Sequence, residues 1–212
     1  MTMYQFDDET SRTDGTAIAL AAMRRGDVIG LNADSSYALA TDAFSPRGLK
    51  TIRSLKGRAD LITPILIGRV INLEGILTKV TPEMHLLMEA FWPGPLTFLA
   101  TPQPSLAWEA TRDAISVRMP SNEWTRELAY ELGPMVAVAA SRGSHAAPTT
   151  ATQGSEIWGS DVPIWLNSGA AHSDLQSTVI DVRSDRPNIV RLGSLTASTL
   201  RGVVPGITMI AN

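Results

Sequence analysis

Short apolar runs alternate with amphipathic helical patterns along almost the whole chain. That alternation restricts the fold to an α/β class in which helices cover a twisted, mostly parallel or mixed sheet. The helix starts are the clearest marks. Ser45-Pro46 and Thr81-Pro82 each pair a capping hydroxyl with a proline at the first helical position. Apolar residues then recur at helical spacing, as Leu49, Ile52 and Leu55 in one and as Met84, Leu87, Met88 and Phe91 in the other. An earlier helix follows Asp14-Gly15-Thr16 and ends near Arg25, with Gly26 in the place of a C-cap. Further helices are expected at about Asn122 to Leu132, after Thr152, and near Leu195 to Arg201. Strands are expected at Val28–Leu31, Pro64–Ile67, Leu96–Ala100, Ala114–Met119, Met135–Ala140, Pro163–Leu166, Thr178–Val182 and Asn188–Leu192. Met1 to Arg12 reads as a leading strand or a loose end.

Composition narrows the function classes. Hydrophobic residues make up 44% of the chain, which excludes a disordered polymer, and no repeat or low-complexity linker divides it. Residues 1–212 therefore read as one domain. Eighteen Lys and Arg against 21 Asp and Glu give a net charge of -3, so any nucleic acid must be held by a local patch rather than by the overall field. The chain has no cysteine, which removes disulfides, thiolate metal sites and a cysteine nucleophile together. Met1 to Arg12 lacks the basic-then-apolar pattern of a secretory signal, and the uncharged stretch from Phe91 to Trp108 is broken by four prolines. A cytoplasmic protein without a membrane partner is expected.

The chemistry-bearing residues are mainly cations and hydroxyls. Six basic residues and one acid lie between Arg47 and Arg69, an excess of five positive charges in an otherwise acidic chain. The run is either a solvated helix face or a polyanion site. Lys56-Gly57-Arg58 is its sharpest part, because two cations flank a glycine beyond a helix end and can both reach one phosphate group. Arg118 and Arg191 each end a strand, and each either closes an internal ion pair or recognises an anion. Ser141 to Thr150 is a loop of hydroxyls and glycine directly after a strand, suited to hydrogen bonding a phosphate or a sugar, or to lying at the surface. No Gly-x-Ser-x-Gly elbow, P-loop, Gly-x-Gly-x-x-Gly fingerprint or metal-ligand spacing of His85, His145 and His172 occurs. The five tryptophans are dispersed, as packing residues would be.

Taken in order, these segments resemble the YrdC-like family of threonylcarbamoyl-AMP synthases, with some features of its YciO-type relatives. The resemblance runs from Gly26 to Gly193. It rests on Asn32-Ala33-Asp34-Ser35-Ser36-Tyr37-Ala38-Leu39, Lys56-Gly57-Arg58, Phe91 to Thr97, Val117-Arg118-Met119-Pro120 and Gln176 to Asp181. It implies a single mixed sheet around a central basic cavity. The implied reaction joins threonine, bicarbonate and ATP, normally with Mg²⁺, into threonylcarbamoyl-AMP and pyrophosphate, for modification of a tRNA adenosine by a downstream transferase complex. Carried over by position, Lys56 and Arg58 contact ATP phosphates and act catalytically, Ser141, Thr149 and Arg191 hold the nucleotide, and Arg118 with Ser177 binds threonine. No protein-bound metal is implied. The chain departs from the family pattern where Ala139 and Ser141 replace a Ser-x-Asn pair, and where Asn32 and Ala33 replace a proline and a threonine. A paralogue that docks double-stranded RNA or tRNA in the same cavity is the alternative, as is an ATP enzyme with another substrate.

Overall fold

The computed structural model describes residues 2–6, 9–57, 64–104, 113–172, 174 and 176–209. In chain order its elements are β1 (Thr2–Gln5), α1 (Glu9–Arg24), β2 (Ile29–Asn32), β3 (Tyr37–Asp42), α2 (Pro46–Lys56), β4 (Pro64–Leu66), α3 (Asn72–Ile76) and α4 (Pro82–Phe91). There follow β5 (Leu96–Ala100), β6 (Ile115–Arg118), α5 (Glu123–Leu132), β7 (Met135–Ala139), α6 (Ala151–Trp158), β8 (Ile164–Asn167), β9 (Thr178–Asp181), β10 (Asn188–Arg191), α7 (Ala197–Val203) and β11 (Thr208–Met209).

The expected caps close the expected helices. Ser45 Oγ accepts from Gly48 N at 3.2 Å at the head of α2, and Thr81 Oγ1 accepts from Met84 N at 3.3 Å at the head of α4. Gly57 ends α2 in the left-handed region (φ 61°), with its N–H turned back on Arg53 and Ser54 carbonyls. The first helix departs from expectation, beginning at Glu9 and running through Gly15. The reason is tertiary: a Cβ at Gly15 would stand 3.1 Å from Tyr4 Cβ, so the glycine lets α1 lie close against β1.

All eleven strands join one sheet in the order β1-β8-β2-β3-β7-β4-β6-β5-β9-β10-β11. The sheet is mixed. Hairpin and return connections make β2/β3, β3/β7, β7/β4, β6/β5 and β9/β10 antiparallel. The other neighbouring pairs are parallel, the leading strand β1 against β8 among them. Because side chains alternate along a strand, each strand serves both faces. On one face Leu39, Ile65, Val117, Val136, Val138, Phe98 and Ile180 pack under α2, α3, α4, α6 and α7 through Ile52, Leu73, Met88, Trp158 and Leu200. On the other, Ala19, Met23, Leu128 and Ala129 of α1 and α5 cover Ile29, Leu31, Ala40 and Met135. This second cluster takes no residue from β5, β6 or β9. Helix α6 approaches the sheet by close contact: a Cβ at Gly30 or at Gly154 would stand 2.1 Å from the Trp165 ring, so that indole fills a slot between two glycines.

Candidate functional site

Where α1 and α5 stop, the face they cover opens into a cavity of about 570 Å³, within the range of small-molecule sites. Its floor is built of small or short side chains: Ala38 and Ala139, which pair across β3 and β7, Ala137, Ser116, Thr97 and Val179. These are the alternate positions of strands whose intervening residues are Val136, Val138, Val117, Phe98 and Ile180 of the core. The space exists because β3, β5, β6, β7 and β9 bring small or short side chains to it, while β4 brings the larger Leu66 to its lining. The sequence signal is the alternation itself, in Thr97-Phe98, Ser116-Val117 and Val136-Ala137-Val138-Ala139, which marks strand faces before it marks a site.

Arg118 and Arg191 are the charged residues among the described residues that line the cavity. Arg118 ends β6 and is paired with Asp34, its side chain 11% and that of Asp34 4% exposed. Arg118 Nη2 also donates to the Ala33 carbonyl at 3.0 Å. The Asp34 carboxylate accepts in addition from Ser121 N at 3.0 Å and from Asn122 N at 2.6 Å. The internal ion pair and the placement in a cavity, posed by the sequence as alternatives for Arg118, thus occur together. Asp34 escaped the sequence reading as a site residue, since its partner is 84 positions away.

Lys56, the last residue of α2, reaches the end of β7. Its ammonium donates to the Ala139 carbonyl at 2.9 Å, to Ser141 Oγ at 3.0 Å and to the Ser141 carbonyl, and it stands 5.9 Å from the Trp158 ring. Lys56 and Ser141 therefore form one contact at Ala139, which lines the cavity, while neither is itself among the lining residues. Arg58 lies outside the described residues. The rest of the basic run divides: Arg47 pairs with Asp27 at 3.2 Å and Arg69 stacks over Tyr130 at 4.5 Å, both away from the cavity.

Ser177, Arg191 and Thr149 all line the cavity. Arg191 Nη2 donates to the Ser177 carbonyl at 2.8 Å. The segment before β9 is clamped by Gly193, where a Cβ would stand 2.2 Å from the Gln176 carbonyl oxygen. Buried Thr178 completes the clamp: its Oγ1 accepts from Gly193 N at 2.9 Å and Leu195 N at 3.2 Å and donates to the Leu195 carbonyl at 2.8 Å. Thr149 bonds Gln153 Oε1 through its amide at 3.0 Å, just before Thr150 caps α6. The 141–150 loop is tied to β3 as well, since Tyr37 N donates to the Pro148 carbonyl at 2.8 Å and Ala140 N donates to the Tyr37 carbonyl at 2.9 Å. Burial pushes the Tyr37 phenol above its ordinary 10.0, and its hydroxyl donates to the Gly169 carbonyl at 2.7 Å.

The guanidiniums of Arg118, paired with Asp34, and of Arg191 bring hydrogen-bond donors into the lining, which suit an anionic ligand. Among the described residues, no group of three or more His, Cys, Asp or Glu side chains is arranged to hold a metal ion. No helix among them is long and apolar enough to cross a membrane.

Comparison with known proteins agrees with this geometry. The family described as Telomere recombination, Sua5/YciO/YrdC, matches residues 21–193. A protein of Mycobacterium tuberculosis named putative threonylcarbamoyl-AMP synthase is 28% identical over 200 residues, 93% of this chain and 92% of that protein. The threonylcarbamoyl-AMP synthase of Pyrococcus abyssi is 29% identical over 192 residues, 88% of this chain but 56% of the relative. The crystal structure of P. abyssi Sua5 complexed with L-threonine superposes with a TM-score of 0.88 at 26% identity, over 99% of this chain and 63% of that one. E. coli YciO shares the fold with a TM-score of 0.79 at 23% identity, over 94% of this chain and 98% of that one. By its matched residues and its fold, the chain belongs to the Sua5/YciO/YrdC family.

Proposed function

We propose that the chain is a threonylcarbamoyl-AMP synthase. The observation that carries this reading is a cavity of about 570 Å³ with Arg118 and Arg191 in its lining and Lys56 bonded to the carbonyl of cavity-lining Ala139, in a fold matching an L-threonine-bound relative with a TM-score of 0.88. In this reading the threonine amine and bicarbonate condense to a carbamate with loss of water. A carbamate oxygen then attacks the α-phosphorus of ATP, and the bond to the pyrophosphate oxygen breaks. Such a step needs no protein nucleophile. It needs cations where charge grows on phosphate, and two small substrates held in line.

The chain's residues take the following parts. Lys56 and Arg58 take the catalytic role of contacting the ATP phosphates, while Ser141, Thr149 and Arg191 hold the nucleotide, with Ser141 also steadying the Lys56 ammonium at 3.0 Å. Arg118 and Ser177 bind the threonine, with Arg118 taking its carboxylate. ATP enters with Mg²⁺, whose remaining ligands come from phosphate oxygens and water. The adenylate passes to a transferase complex acting on tRNA, in the cytoplasm.

A second reading is favoured by Ala33 and Ala139, which bring no side-chain hydrogen-bonding atom to the cavity they line. In it the cavity's cations dock double-stranded RNA or tRNA without catalysis. Pyrophosphate release with ATP, Mg²⁺ and bicarbonate, with and without threonine, and mass analysis of the adenylate decide between them. The synthase reading expects threonine-dependent release that Lys56→Ala lowers by about 100-fold or more. Absent turnover, with RNA binding that weakens steeply as salt rises, would establish the second reading.

A further inference from the structure

We infer that Asp34 is the positioning residue of the cavity's arginine: its carboxylate fixes the Arg118 guanidinium so that the donors it leaves unused face the cavity. The inference rests on the reading above, in which Arg118 takes the amino-acid carboxylate. The pair is nearly closed to solvent, with side chains 4% and 11% exposed. A carboxylate so placed must be fully matched, and Asp34 is: one oxygen takes Arg118 and Ser121 N, and the other takes Asn122 N at 2.6 Å, at the head of α5. Arg118 is gripped by two successive residues, since its second terminal nitrogen donates to the Ala33 carbonyl at 3.0 Å. A guanidinium carries more N–H donors than these two contacts use.

The grip is itself anchored. Asp34 sits in the left-handed region at φ 69°, unusual for a residue with a side chain. Asn32 Oδ1 accepts from Asp34 N at 3.0 Å, and the Asp34 carbonyl accepts from His172 N at 2.7 Å. Asn32, itself buried, reaches across to the Gly169 carbonyl at 3.3 Å. The guanidinium is therefore referred through Asp34 to the ends of β2, β6 and β8 and the head of α5. Two effects of Asp34 oppose each other. Its charge offsets that of Arg118 and weakens attraction for an anion, whereas its grip removes the rotamer freedom that a ligand would otherwise have to freeze. The inference is that the second dominates.

The test uses the full chain with Asp34→Asn, Arg118→Ala and the double variant. Asparagine is near-isosteric with Asp34 and tolerates its backbone conformation. Calorimetric titration of L-threonine in the presence of ATP should give about tenfold weaker binding for Asp34→Asn, with ATP affinity within about twofold of wild type. Asp34→Asn should add nothing in the Arg118→Ala background, which a merely structural role would not produce. Equal or tighter binding in Asp34→Asn, or a loss that persists without Arg118, overturns the inference. A second readout needs no ligand: ¹⁵N spectra should show resolved, slowly rotating terminal N–H groups for Arg118 in the wild type and averaged ones in Asp34→Asn. Averaged signals already in the wild type, or unchanged ones in the variant, overturn it as well. If the wild type binds no L-threonine, the amino-acid reading fails and the Arg118 spectra alone decide. Asp34→Gly, which keeps the left-handed backbone, replaces Asp34→Asn if that variant does not fold.

Discussion

Tyr37 links several parts of the site through one side chain. Its ring lies in the core against Trp165, with centroids 6.3 Å apart, while its hydroxyl reaches the Gly169 carbonyl at 2.7 Å. Burial holds the phenol neutral above its usual 10.0, so between that value and the raised folded one the unfolded chain has released a proton that the folded chain keeps. Stability from this group is therefore complete below about pH 10 and falls as pH rises further. Tyr37→Phe should lose about 1 kcal/mol at pH 7 for the missing hydrogen bond. The gap between variant and wild type should narrow above pH 10, read by urea denaturation at a series of pH values. The cavity-lining residues Arg118, Ser177 and Arg191 were legible because cations and hydroxyls at element ends are visible in one dimension. Asp34 and Asn32 were not. Their significance comes from partners 84 and 137 positions away, and an acid in a polar loop carries no local sign of such a partner.

Between strands and helices, the segment before β9 shows how an element end is held in place. Thr178 N donates to the Pro95 carbonyl at 2.9 Å, and Thr178 Oγ1 joins the amides of Gly193 and Leu195. Replacing Thr178 with valine keeps the shape and leaves those part-buried amides without an acceptor, a cost of about 1 kcal/mol. The same change frees Ser177 and Arg191 to shift, so under the synthase reading the Michaelis constant for ATP should rise several-fold while Asp34 and Arg118 are untouched. Steady-state kinetics with a thermal melt separates the two effects. At this scale the sequence told most where the signal was local. The Ser-Pro and Thr-Pro starts of α2 and α4 stood as expected, because a cap is a contact three residues long. Strand β3 was missed. Its Tyr-Ala-Leu-Ala-Thr-Asp run is poor in β-branched residues, and it is a strand because β2 and β7 pair with it from both sides. Helix α3 and strand β11, five and two residues long, are too short for any period to appear.

Across the whole molecule, every described strand is hydrogen-bonded into one sheet, whose two faces divide the work. A sheet of this kind, with long-range pairing from β1 to β11, predicts one cooperative thermal transition in calorimetry; two resolved transitions would show that its halves fold separately. Under the synthase reading, ATP at about 100 times its dissociation constant should raise stability by about 2.7 kcal/mol and move that single transition upward as a unit. The floor of alanine, serine and threonine has a further consequence. Ala38 and Ala137 of that floor also belong to the core under α1 and α5, whereas Ala139 and Ser116 do not, so adding a methyl group at either of the last two alters the room left for a bound molecule and leaves the opposite, energy-bearing face of the strand unchanged. Ligand choice and fold are thereby separable variables in this protein, and a lineage can change what it accepts one small side chain at a time without ever passing through an unfolded ancestor.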